Sequence, residues 1–169
     1  TSPGAYSLSG CTEIVCTTPS DTTGFSITEH ELGIANAGFD VTAECDTGFE
    51  GTAVVTACTS PGAYSLSGCT EIVCTTPSDT TGFFSITETE LSILQGFDVT
   101  AQCDTGFEGT AVVTACTSSR SYGLSGCTEI VCTTPSDTTG FSITETELGI
   151  GNAGFDVTAE CDTGFEGTA

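Results

Sequence analysis

The chain has no lysine, no tryptophan and no methionine, and Arg120 and His30 are its only arginine and histidine. Each shortage closes off a class of function. With 23 acidic residues against that one arginine the formal net charge is −22, so nucleic acid and anionic membrane surfaces are electrostatically poor partners. No apolar run approaches the roughly 18 residues a membrane-spanning helix needs, and no membrane insertion is expected. His30 is the only conventional acid–base side chain with a pKa near neutrality, and its counterparts elsewhere in the chain are Thr89 and Thr146. A Ser-His-Asp arrangement would rest on one dispensable histidine, so the chain is not expected to be an enzyme.

What the sequence does have is repetition. The decapeptide CTTPSDTTGF stands at residues 16–25, 74–83 and 132–141, always 58 positions apart. The cysteines keep the same period: Cys11, Cys69 and Cys127; Cys16, Cys74 and Cys132; Cys45, Cys103 and Cys161; Cys58 and Cys116. A fixed period over a whole chain marks a repeat architecture. The total of 11 cysteines is four per period cut out of phase, so the chain is expected to be a slice of a longer array. Cys11, Cys132 and Cys161 are then expected to pair outside it.

A unit of 58 residues buries only about 60% of its unfolded surface and needs a staple. Four cysteines per unit suggest two disulfides and a secreted, extracellular setting. Zinc fits poorly: the closest pair, Cys11 and Cys16, has C-x4-C spacing and His30 is the sole histidine, so no specific metal site is expected.

Along one period, TTPSDTTG is a turn cluster, with Pro19 fixing φ and Gly24 permitting positive φ. FSIT at 25–28 reads as a short strand. FDVTAEC at 39–45 alternates, with Phe39, Val41, Ala43 and Cys45 inward and Asp40, Thr42 and Glu44 outward. DTGFEG at 46–51 is a turn, TAVVTAC at 52–58 a second strand, and TSPGAYSLSGC closes the unit through a Pro-Gly turn and a segment around Tyr64 and Leu66. No amphipathic helical stripe is visible. The second copy has an extra Phe in GFFSIT at 82–87 and is one residue shorter before Phe97. Such slippage suits a loop or a loosely paired edge.

The pattern C-x-x-P-x-x-x-x-G-F at 16–25, with TAECDTGFEGTAVVTAC at 42–58 and GAYSLSGC at 62–69, resembles the sushi, or complement control protein, module. Tyr6, Tyr64 and Tyr122 stand where that family usually has Trp, and Gly10, Gly68 and Gly126 where it usually has Pro. The resemblance covers residues 1–11 as the end of a preceding module, 16–69 and 74–127 as modules, and 132–169 as the start of a further one, with linkers at 12–15, 70–73 and 128–131. It implies an all-β fold: a tandem array of small disulfide-stapled β modules forming an elongated rod. It also implies first-to-third and second-to-fourth pairing, namely Cys16–Cys58, Cys45–Cys69, Cys74–Cys116 and Cys103–Cys127. Spacing alone leaves three pairings per unit open.

Two surface features invite chemistry. The Thr/Ser-rich loop with its proline reads as an O-glycosylation cluster or an ordinary turn. The candidates are Thr17, Thr18, Ser20, Thr22 and Thr23, with Thr75, Thr76, Ser78, Thr80, Thr81, Thr133, Thr134, Ser136, Thr138 and Thr139 as their copies. Asn36 and Asn152 precede Ala-Gly and form no N-glycosylation signal. The acidic stripe Asp40, Glu44 and Asp46, with Asp98 and Asp104 and then Asp156, Glu160 and Asp162, is a solvated face with oxygen ligands suited to weak Ca²⁺ binding; in the second copy Glu44 becomes Gln102.

Two functions follow as expectations. Near-identical modules joined by TEIV, with Ile14 and Val15 packing at the joint, suit a structural extracellular filament or stalk whose partners are copies of itself. A cell-surface adhesion or recognition array binding a protein or glycan is the alternative. It would ordinarily call for divergent modules with Trp and Arg anchors.

Overall fold

The computed structural model describes residues 4–5, 7–35, 38–151 and 154–168. Tyr6, Asn36 and Asn152 lie outside the described residues. Twelve strands and no helix make up the described chain. It divides into two compact units, Thr1–Ile72 and Val73–Ala169.

In the first unit, β1 (Cys16–Thr17) leads into the threonine loop, and β2 (Phe25–Glu31) pairs antiparallel with β3 (Asp40–Cys45). A tight turn carries the chain into β4 (Phe49–Thr56); β5 (Gly62–Ala63) then lies parallel to β1, and β6 (Ser65–Glu71) antiparallel to β4. Alternation in FDVTAEC decides which side chains enter the core. Val41 is buried and Phe39, Ala43 and Cys45 are half-buried, while Asp40, Thr42 and Glu44 face solvent.

Cys16, Val41 and Tyr64 form the buried centre, with Ile27, Leu32, Ile34, Phe39, Val55, Ala57, Cys58 and Leu66 packed against it. The ring of Phe39 meets that of Tyr64 edge-on at 5.7 Å. So small a core leaves stability to the cross-links. Cys16 is bonded to Cys58 and Cys45 to Cys69. Across separations of 42 and 24 residues, chain-entropy arithmetic gives about 4 and about 3.5 kcal/mol respectively.

The second unit repeats the plan with β7 (Phe83–Glu90), β8 (Asp98–Cys103), β9 (Phe107–Thr114) and β10 (Gly123–Glu129), and adds the hairpin β11 (Phe141–Glu147) and β12 (Asp156–Cys161). Its core is Cys74, Val99 and Tyr122, and its disulfides are Cys74–Cys116 and Cys103–Cys127. The extra residue of the central copy is absorbed as a β-bulge. Phe84 faces Gln102 and Thr87 faces Thr100, so Ser85 and Ile86 share the place opposite Ala101. Ser85 takes a positive φ of 53°, which keeps Ile86 against the core and leaves Phe84 59% exposed. Every sheet here is two-stranded, so each strand has a free edge, and an inserted residue breaks no second ladder.

Two of the TEIV segments continue the strand before them, β6 running to Glu71 and β10 to Glu129. Their packing corrects the sequence reading, because not both apolar residues pack. Ile72 is buried and Ile14 and Ile130 are half-buried, but Val15, Val73 and Val131 are exposed. Extended backbone sends neighbouring side chains to opposite faces, and with Cys16 and Cys74 inward, the valine before each must point out.

The repeated threonine loop as candidate functional site

The loop from Thr18 to Gly24 is shaped by short-range bonds that its residue types dictate. Asp21 Oδ1 accepts the Thr23 N–H at 2.9 Å, the self-capping turn that aspartate favours. The Thr22 carbonyl accepts the Phe25 N–H at 3.0 Å. Gly24, at φ +85°, lies so close to the Phe49 ring that a Cβ would stand 2.7 Å from it. At the loop's other end Thr17 pairs with Ala63, and its carbonyl accepts the Tyr64 N–H at 3.1 Å.

One carboxylate ties this loop to the core. Glu29 Oε1 accepts the Thr18 hydroxyl at 2.8 Å and the Tyr64 hydroxyl at 2.7 Å. Glu88 does the same for Thr76 at 2.6 Å and Tyr122 at 2.8 Å, and Glu145 accepts Thr134 at 2.6 Å. Donation from Tyr64, and then from Thr18, holds the Glu29 carboxyl below its ordinary pKa. For Glu88 the order is Thr76, then Tyr122. Burial, reinforced by the neighbouring carboxylate, pushes the Tyr64 and Tyr122 hydroxyls up to about 12. Sequence reasoning missed these glutamates. The signal available was E-x-E at the same place in all three copies, at 29–31, 88–90 and 145–147.

These bonds sort the candidate hydroxyls. Thr18, Thr76 and Thr134 donate to glutamate. Thr23, Thr81 and Thr139 bond Asp21, Asp79 and Asp137 and lower their pKa values, by backbone donation first at Asp21 and Asp137 and by the side chain first at Asp79. Thr22, Thr80 and Thr138 are half-buried, and Thr22 lines an open groove with Thr18, Phe25, Ile27 and Glu29. Thr17, Ser20, Thr75, Ser78, Thr133 and Ser136 are exposed.

The acidic stripe is not drawn together. Asp40, Glu44, Asp46, Asp98, Asp104, Asp156, Glu160 and Asp162 are all exposed. Asp46 and Asp104 sit in the turns after β3 and β8, where their carbonyls accept the Phe49 and Phe107 N–H groups. Among the described residues no group of three or more His, Cys, Asp or Glu side chains is placed to hold a metal ion. His30 is exposed at a β2 bulge, between Glu29 opposite Val41 and Glu31 opposite Asp40. Cys11 is exposed, Cys132 and Cys161 are half-buried, and none of the three is in a disulfide. No described helix is long and apolar enough to cross a membrane.

The chain matches no family model, and no curated protein or solved structure is significantly similar to it. Four disulfides in small all-β modules fit an oxidising, extracellular setting.

Proposed function

We propose that the chain is a stretch of a secreted structural array, built from sushi-like modules head to tail as an extended filament or stalk and carrying O-linked sugars on its threonine loops. The observation that carries this reading is the near-identity of successive modules at a period of 58 residues, joined by the same TEIV segment each time. Near-identical units joined by the same short segment suit a regular tandem array. Electron microscopy of the native material tests it: filaments are expected, and a compact particle would refute the array. For the sugars, the intact mass is expected to exceed 17.1 kDa by multiples of a hexose or related unit. Unmodified Glu-C peptides spanning residues 14–29 would leave the loop as a turn alone.

A second reading, an adhesion or recognition array binding a protein or glycan, is favoured by one observation. The central module carries exposed Phe84 and exposed Arg120, residue types that anchor interfaces. A ligand bound by that module and lost with Phe84→Ser would support it.

A further inference from the structure

We propose that the repeat position occupied by Gly151 sets how closely one module seats on the module before it. The surface it offers fits the Asp-Thr-Gly-Phe turn of another repeat. The joint inside the second unit gives the geometry. Ile130 donates its N–H to the Gly106 carbonyl at 2.9 Å and accepts the Ile150 N–H at 3.0 Å. Glu129 Oε1 accepts the Gly151 N–H at 3.1 Å. Val131 bridges Gly149, and the Cys132 N–H bonds the Leu148 carbonyl at 2.9 Å. The segment therefore has the turn of one module on one side and the 148–151 loop of the next on the other.

Glycine meets glycine at the contact. A Cβ on Gly106 would lie 2.6 Å from both Gly151 Cα and the Ile150 carbonyl oxygen, and a Cβ on Gly151 would run into the Phe107 ring. Gly106 also needs its positive φ of 84°, whereas Gly151 is not among the positive-φ residues. Its want of a side chain is a matter of room, not of conformation. The two sides of the joint also vary differently between copies. Asp-Thr-Gly-Phe is the same at 46–49, 104–107 and 162–165, while the Gly151 position carries Ala35 in the first copy and Leu94 in the central one. The turn is the constant plug and the loop the variable seat. A side chain at the seat would meet the Phe107 ring, so glycine permits the close joint at Gly151. The rule concerns neighbouring repeats and holds for a filament or a receptor alike.

Amide hydrogen exchange on the whole chain tests it, with Gly151→Leu, the residue of the central copy, as the main variant. Exchange at the Ile150 amide, whose acceptor is the Ile130 carbonyl across the joint, is expected to quicken by at least about tenfold, the size of effect that overpacking produces. The Cys116 and Tyr122 amides, inside the preceding module, should not change. Unaltered protection at Ile150 would overturn the proposal. If Gly151→Leu also strips protection from β11 and β12, Gly151→Ala supplies the reading. A smaller rise at Ile150 with the hairpin intact supports the proposal, and no rise refutes it.

Discussion

The Tyr64 hydroxyl donates to Glu29 Oε1 over 2.7 Å, joining residues 35 apart in the chain, and Tyr122 and Glu88 repeat the bond in the next module at 2.8 Å. Each tyrosine has its ring in the core, 2% exposed, and its hydroxyl on a carboxylate at the surface. A buried tyrosine ordinarily finds such a partner for its polar end. Here the same carboxylate oxygen also takes the Thr18 hydroxyl at 2.8 Å, so the core aromatic fixes the loop's geometry.

Alkaline titration reads this bond. Burial first, and Glu29 second, raise the Tyr64 pKa to about 12 from an ordinary value near 10. The folded state therefore holds its proton longer than the unfolded state. The associated stability is fully present below about pH 10 and is lost as pH rises towards about 12. Phenolate absorbance should show Tyr64 and Tyr122 ionising late, and Tyr64→Phe should remove one such step. Ionisation of both at ordinary pH in the folded protein would contradict the geometry.

The acid side has the opposite sign. Donation from Tyr64 and Thr18 lowers the Glu29 pKa, so its contribution is present above the ordinary glutamate value and fades as pH falls through the lowered one. Glu29→Gln should flatten the acid limb of the stability profile for the first module and leave that of the second, which has its own Glu88.

Gly68 is expected to tolerate no substitution. Its φ is +93°, and a Cβ there would strike the Thr52 carbonyl. Gly51 at φ +121° faces the Gly68 carbonyl in the same way. Holding an L-residue in that region costs about 1–3 kcal/mol before any clash. Gly68→Ala and Gly126→Ala should each lower the denaturant midpoint of their own module accordingly. Proline could not stand at Gly68 either, since it fixes φ near −65°.

How much was legible in the sequence depended on the range of the interaction. Alternation in FDVTAEC gave the inward and outward faces of β3 correctly, because period two is a local property of extended chain. The turn at 18–24 was legible from Pro19, Asp21 and Gly24 for the same reason. Strand ends differ from the expectation: β2 continues to Glu31, and β4 begins at Phe49 and stops at Thr56, since pairing with β3 and β6, not composition, sets those limits. Val15 was expected to pack and is exposed, because its facing depends on the register imposed by Cys16. Of the Thr18–Glu29–Tyr64 group only the recurring E-x-E is visible in the sequence, as nothing local says that a surface glutamate will meet a core tyrosine.

Reduction of the disulfides should unfold the modules. With Cys16, Val41 and Tyr64 as the buried centre of one core and Cys74, Val99 and Tyr122 of the other, loss of one bridge is expected to cost about 2–5 kcal/mol. Cys45→Ser with Cys69→Ser should lower the first module's midpoint without moving the second's. Retention of the full melting transition after complete reduction would show that the cores suffice alone.

Divalent cations and chelators should act on association between chains and not on folding. A net charge of −22 with one arginine makes neighbouring copies repel, over about 8 Å at physiological salt. The carboxylates of Asp40, Glu44 and Asp46 and their counterparts are exposed and separate, suited to loosely held Ca²⁺ and not to a chelated ion. Side-by-side association, followed by light scattering at low salt, is therefore expected to rise with Ca²⁺ or Mg²⁺ and fall with EDTA. Monovalent salt should partly replace the divalent ion, because screening and not coordination is at work. The modules, closed by disulfides, should keep their amide protection in the chelator. Unfolding of a module in EDTA would show a structural ion, and association indifferent to both Ca²⁺ and salt would show that charge does not govern assembly.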